Sequence, residues 1–539
     1  MRLKGLITYS LLSLLCGVTL CGCSRDIVPD SEEMAQTVDY YLKLSLNTST
    51  QTRAGAHPWG GETGDGTEEG HNHENDIDDI TIFIYTDETG EGVNGDADTP
   101  IKYSRYFGGL MLSGITTYDT EPLLLRNYQV NEDDRIIVLA NMGDKTGLTT
   151  LGAVRDAMVN TAWTSYGSSF RLYRHFAMSS AIDNDVSGIL DFTPDGTYSS
   201  PFEAKVEIER VAARIDFWLY HGKAPAAEGE PVMYEAEDGS GYFYLSHVRI
   251  VNGSVAPTYA LKRTATAVNP LSTTVTYLGD ETVDGTSHIP TNYVVEPKTY
   301  LKHSGTTISL ATLLSWYGES AMDNSLSPEF MSSPEYQIRG YAGDPELFSV
   351  TVNTDIDGDG SVEGNISCYT LGYVMENTMD KSALHLIYDT GLEFKGTFRP
   401  KRVYTWSGST AVEDPSYDFG DDFWFYKNST TPADSYAFSS ETALLSYAEH
   451  HTDDYEVIHY ENGVCYYYVW IRHSMFDSSH ATGTFPMEYG IVRNNIYRIG
   501  VEKVLRLGTE IPDPEGDESL YSHLFVRDWR LRLQPEIVL

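Results

Sequence analysis

The chain has 539 residues, with 78 Asp or Glu against 37 Lys or Arg and a formal net charge of −41. That length exceeds what one hydrophobic core supports and implies two or more domains. The charge argues against nucleic acid or an anionic membrane surface as a partner. Tyr (38 residues) and Gly (46) are plentiful while long apolar helical patterns are few, which favours a β-rich architecture.

The first segment, MRLKGLITYSLLSLLCGVTLCGCS, starts on Arg2 and Lys4 and runs apolar from Leu6 to Leu20, too short and wrongly flanked for a spanning helix. This is the pattern of a secretion signal. Leu20-Cys21-Gly22-Cys23 has the form of a bacterial lipobox, with small residues giving a signal peptidase access to the bond, so cleavage before Cys23 and lipidation of Cys23 are expected. An ordinary secretory signal that merely contains cysteines is the alternative. Cys368 and Cys465 remain in the exported part; they could form one disulfide, but each lies in a strand-like run where a buried free thiol is common. No second hydrophobic stretch is long enough to span a bilayer.

After a polar tether, Val38, Tyr40, Leu42, Leu44 and Leu46 share one face and Asp39, Tyr41, Lys43, Ser45 and Asn47 the other, the period-two signature of a half-buried strand. NTSTQTRAGA follows, placing Arg53 alone among small polar residues, the kind of accessible site that proteases cut. Cleavage between Arg53 and Ala54 would remove lipid and strand together. Arg25 is the competing site, and a cut there would free the lipid but leave the strand. AGAHPWGGETGDGTEEGHNHEN reads as turn and linker throughout. Within it His71, His73 and Glu74 could be imagined as metal ligands, although His in an acidic linker is usually just solvated.

DITIFIYTD alternates as a strand, and RIIVLANMGD has the continuous apolar run of a doubly buried one. TTLGAVRDAM spaces Leu151, Val154 and Met158 as a short amphipathic helix. In AKVEIERVAARIDFWLY the apolar parity switches between Ile208 and Val211, which a bulge near Arg210 would reconcile. KAPAAEGEP, residues 223–231, is the expected domain boundary. The resulting organisation is a signal peptide at 1–22, a lipidated propeptide with a removable strand at 23–53, one β-domain at 54–222 and a second at 223–539.

A further strand series follows: GYFYLSHVRIVNG, ELFSVTVNTD, NISCYTLGYVMEN, VCYYYVWIRH and NNIYRIGVEKVLRLG, with SSETALLSYAEHH predicted as a helix capped by Ser. His450 and His451 end that helix, where His commonly caps carbonyls. DIDGDGSVEGN places Asp355, Asp357 and Asp359 at every second residue, resembling the opening of a Ca²⁺ loop, but the twelfth position is Ile366 where a bidentate Glu belongs. A polar hairpin is the competing reading. Nothing resembles a nucleophile elbow, a phosphate-binding loop, a His-Glu-x-x-His pair or a Cys-x-x-Cys, so an enzyme is not expected. The chain ends in LFVRDWRLRLQPEIVL, with Phe525, Trp529, Leu531 and Leu533 on one parity and Arg530, Arg532 and Gln534 on the other. Such a strand need not pair within its own domain.

The lipobox at Cys23, the strand ending in TRA at Arg53, IIVLAN, ERVAARIDF, YVMENT, CYYYVWIRH, MEYGIVRNNIYRIGVEKVLRLG and DWRLRL, in this order, resemble fimbrillins of the Mfa type, shaft subunits of the type V pili of Bacteroidales-type bacteria. The resemblance implies a mainly β fold of two transthyretin-like β-sandwich domains with a few short helices. It implies export as an outer-membrane lipoprotein, removal of the N-terminal strand by an Arg-specific protease, and polymerisation by strand exchange with identical or related subunits into a surface fimbrium that supports adhesion to host or bacterial receptors. On this sequence Cys23 is then the lipidated residue, Arg53 and Ala54 flank the cut, and residues 524 to 534 are the donor. A fimbrial tip adhesin or a surface glycan-binding lipoprotein is the alternative.

Overall fold

The computed structural model describes residues 38–48, 71–112, 117–165, 173–181, 188–219, 231–255, 257–265, 293–294, 296, 336–337, 347–352, 364–378, 389–471, 473, 490–512 and 520–528. The first strands are β1 (Val38–Thr48), β2 (Ile77–Thr86), β3 (Tyr103–Leu112), β4 (Thr117–Asp119), β5 (Leu123–Tyr128) and β6 (Asp134–Ala140). With Met178–Ser180, Leu190–Asp191 and Phe202–Arg210 they form a nine-stranded sheet. Its order is β3, β2, β6, 178–180, 202–210, β1 and β4, with β5 also paired to β1.

β6 is apolar on both faces because it divides two cores. Ile136, Val138 and Ala140 join Leu42, Ile82 and Val206, while Ile137 and Leu139 join Phe83, Leu151 and Val154 on the other side. Leu151 and Val154 sit on helix α1 (Leu151–Arg155), whose N-cap Thr150 accepts a hydrogen bond from the Ala153 amide. The sheet curls so that its two ends meet: the Tyr103 hydroxyl on β3 donates to the Leu124 carbonyl on β5 at 3.3 Å.

The parity switch at Arg210 is a change of sheet, where a bulge was expected. Phe202–Arg210 ends in the first sheet, and Ala212–Leu219 enters a second, five-stranded one. Its order is Leu347–Val352, Gly364–Met375, Ala212–Leu219, Asn495–Val504, Leu520–Asp528. Ahead of the 223–231 segment expected as the domain boundary, the chain therefore passes between sheets at residues 210–212. Those residues lack turn chemistry, and only the inversion of their buried face marks the crossing.

A sheet containing Val232–Glu235, Gly241–Val251, Gly391–Pro400 and Val464–Trp470 lies opposite. Ile215, Phe217 and Ile499 of one sheet and Phe243, Phe394 and Tyr467 of the other share one core, so the pair is a sandwich. The 391–400 and 464–470 strands are antiparallel neighbours, Thr397 opposite Val464. The chain between them builds a separate five-stranded sheet and helix α2 (Glu441–Ala448). Ser440 caps α2 by accepting from the Ala443 amide at 3.2 Å, and the rings of His450 and His451 bond the carbonyls of Ser446 and Tyr447 at 2.8 and 2.7 Å. Among the described residues the protein is mainly β with few and short helices, as its composition indicates.

Gly500 has a packing role. A Cβ there would lie 2.2 Å from Cε2 and Nε1 of the fully buried Trp218 on the neighbouring strand. Gly500→Ala is therefore expected to destabilise the C-terminal sandwich by about 2 kcal/mol, read as a lower urea midpoint. Adding Trp218→Phe should restore part of that loss, and an unchanged midpoint for Gly500→Ala would refute the packing account.

Candidate functional site: the seat of β1

β1 is the element in which local pattern, burial and position in the chain converge. Leu42, Leu44 and Leu46 are wholly buried, as alternation requires for a strand with one face on a core. They pack with Tyr118, Leu123, Leu125, Phe202, Ala204 and Val206. Both backbone edges are in use. One pairs in parallel with the 202–210 strand, Leu42 opposite Phe202 through Thr48 opposite Ile208. The other pairs antiparallel with β5 over Val38–Leu42 and with β4 over Ser45–Asn47.

Side chains add local ties. The Leu44 amide donates to Thr120 Oγ1 at 3.0 Å and the Thr120 amide to the Leu44 carbonyl at 2.9 Å. On the outer face Lys43 pairs with Asp119 at 3.4 Å, both substantially exposed, a contact that contributes little in water. Burial of the three leucines stabilises the seated strand by roughly 5 to 9 kcal/mol before entropy is counted. Without β1, two rows of backbone donors and acceptors and an apolar stripe would face water, a combination a folded domain does not tolerate.

The chain from 49 to 70, including Arg53 and Ala54, lies outside the described residues, as do Cys23, Trp529, Leu531, Leu533 and the acidic residues Asp355, Asp357 and Asp359. Phe525 belongs to the Leu520–Asp528 strand, which pairs antiparallel with 495–504 of its own chain, Phe525 opposite Arg498. The expected donor segment, 524–534, thus overlaps at 524–528 a strand that covers the edge of 495–504 in this chain. Cys368 and Cys465 are buried and are not joined in a disulfide, and burial pushes the Cys465 thiol up to about 12.

Residues 71–75 are the feature that the sequence reading missed. In place of a solvated linker, they form a buried clamp at the junction of the two units. Glu74 is fully buried and accepts from Arg214 Nη1 at 3.1 Å and from the Tyr373 hydroxyl. Arg214 also bonds Asp216 at 3.0 Å, and Arg498 bonds the same carboxylate at 3.1 Å. Arg210 holds the Asn75 side chain and the Glu74 carbonyl, the latter at 3.1 Å. The Tyr118 hydroxyl, on β4, donates to the Asn75 carbonyl. A signal was present: Arg210, Arg214 and Asp216 interrupt an otherwise apolar run, and buried charges need partners.

Burial opposes the charge on Glu74, but Arg214, His71, the Tyr373 hydroxyl and Arg210 outweigh it and hold the carboxyl below its usual range. Because the folded value is depressed, the stabilisation is present above the unfolded value of 4.5 and is lost as pH falls through the folded one. Glu74→Gln should cost about 3 kcal/mol near pH 7 by leaving buried cations under-compensated. The difference from wild type should shrink on acidification below pH 4.5. Urea titrations across pH read this directly, and a pH-independent difference would contradict it.

Residues 458–534 match the family described as major fimbrial subunit protein type IV, Fimbrillin, C-terminal. No curated protein sequence matches the chain. Among solved structures, a putative cell adhesion protein from Parabacteroides distasonis ATCC 8503 is 12% identical with a TM-score of 0.36, over 93% of this chain and 98% of that one. The tip fimbrial protein Mfa3 from Porphyromonas gingivalis is 10% identical with a TM-score of 0.35, over 91% and 100%. A fimbrilin (fimA) from Porphyromonas gingivalis W83 is 13% identical with a TM-score of 0.33, over 92% and 99%. At these scores the superpositions are loose. The family match takes in the 464–470, 495–504 and 520–528 strands.

Proposed function

We propose that this chain is an Mfa-type shaft subunit of a surface fimbrium, exported as an outer-membrane lipoprotein through Cys23 and matured by an Arg-specific protease between Arg53 and Ala54. Maturation releases β1, and the seat it leaves takes a strand from a neighbouring subunit. The observation that carries this reading is the position of β1: an interior strand, buried through Leu42, Leu44 and Leu46 and paired on both edges, lies just ahead of Arg53 in the sequence.

The tail matches that seat in spacing. Trp529, Leu531 and Leu533 repeat the two-residue interval of the three leucines, and Arg530 and Arg532 would face outward where Lys43 now meets Asp119. Main-chain pairing gives such an insertion affinity and side-chain alternation gives it register. Head-to-tail repetition does not close, so it yields a filament. A calcium loop at Asp355, Asp357 and Asp359 has no part in this reading.

A tip subunit would share the seat but have no use for its own tail, and the pairing of 520–528 within its own chain is compatible with a tail that never leaves. Digestion of the full chain with an Arg-specific protease tests both. Wild type should yield a product starting at Ala54 and high-mass ladders on gels, and Arg53→Ala should stay monomeric. A chain lacking 529–539 should be cut normally yet form no ladder; persistence of the ladder would exclude the tail as donor. Shed protein starting at Ser24 or Asp26, with no Ala54 product, would count against the maturation scheme.

A further inference from the structure

The seat of β1 has two walls of unlike construction. The 202–210 wall is a long strand braced by 178–180 and 190–191 on its far side. The opposite wall is made of β4 and β5, and among the described residues β1 is the strand with which each of them pairs. Release of β1 therefore removes the ladder that orders this wall, including both bonds between Thr120 and Leu44. A wall of two short segments, left to itself, would fray or fold inward, and an incoming strand would have to reorder it before pairing.

The wall also carries side-chain tethers that do not involve β1, and they are spread along its length. Near the start of β1, the Tyr128 hydroxyl donates to Asp134 at the head of β6, opposite Val38. At mid-length, where Leu124 faces Tyr41, its carbonyl accepts from the Tyr103 hydroxyl at 3.3 Å and from Arg105, both on β3. Near the end, where Tyr118 faces Leu46, its hydroxyl donates to the Asn75 carbonyl of the clamp. Asn75 is itself held by Arg210, and Glu74 beside it by Arg214 and Tyr373, so this last tether ends on a fully buried cluster. Residues 71–75 lie after Arg53 and stay with the subunit when β1 goes.

We propose that Tyr118, Tyr103 with Arg105, and Tyr128 are positioning residues that hold the β4–β5 wall in register once β1 has left, so that the seat persists as a preformed acceptor for the next strand. This rests on the strand-release reading and adds to it a reason why the emptied subunit neither collapses nor closes on itself. Each tether joins a wall residue to a group outside the ladder; at Tyr118 and at Tyr128 it is one hydroxyl bond that a Phe substitution removes while the ring is kept, and at Leu124 it is two bonds, from Tyr103 and Arg105.

The test uses full-length protein cut with an Arg-specific protease and freed of β1 by gel filtration in mild urea. The probe is a fluorescein-labelled peptide of residues 38–48. Wild type should take up the peptide, and Tyr118→Phe should take it up roughly five- to tenfold more slowly, the size expected for one hydrogen bond. Hydrogen exchange at 117–125 should be faster than wild type in cut Tyr118→Phe but unchanged in the uncut variant, where β1 still orders the wall. Tyr103→Phe combined with Arg105→Met, which removes both bonds to the Leu124 carbonyl, provides the same comparison at mid-length should Tyr118→Phe fail to fold. Equal uptake rates for wild type and both variants, or exchange differences of the same size before and after cutting, would overturn the proposal. No uptake by cut wild type would overturn it together with the strand-release reading.

Discussion

β1 is an interior strand, and the rest of the N-terminal sheet is arranged around that fact. An edge strand can be lost at the expense of one row of hydrogen bonds, whereas β1 satisfies the 202–210 strand on one side and β4 and β5 on the other while its leucines close the core beneath. Its contribution is therefore concentrated and all-or-none. The same geometry gives a substitute strand a defined register, because a shift by one residue would turn its apolar face to solvent.

The clamp at 71–75 complements that strand. The chain leaves β1 at Thr48 and is next described at His71, and within four residues it is bound to both units through Glu74 and Asn75. Its partners come from strands on either side of Val211, the residue at which the chain passes from one sheet to the other. Polar groups so deeply buried are poor sources of net stability but strong determinants of arrangement. Here they fix how the two units meet and give β4 a fixed point through Tyr118. The formal net charge of −41 makes the subunits repel one another, which favours their dispersion.

Much of this was legible in the sequence where the determining interactions are local. Alternation located β1, the continuous apolar run located β6, and Ser440 announced α2, each because the signal and the structure it specifies lie within a few residues. What stayed hidden depends on partners far along the chain. Glu74 is 140 residues from Arg214 and 299 from Tyr373, so its surroundings read as linker. The inversion of parity at 208–211 was visible, but a bulge and a change of sheet produce the same pattern, and only the pairing of 212–219 with 364–375 and 495–504 separates them. The pairing of 520–528 with 495–504 was hidden for a related reason: a strand's alternation specifies its buried face, not the chain that supplies the neighbour.

The most direct measurement is the structure of the assembled filament by electron cryomicroscopy, at a resolution that assigns side chains in the strand beside Phe202–Arg210. The account predicts that this strand belongs to a neighbouring subunit, with Trp529, Leu531 and Leu533 in the places held here by Leu42, Leu44 and Leu46. A filament in which each subunit retains its own residues 38–48 at that position would contradict it.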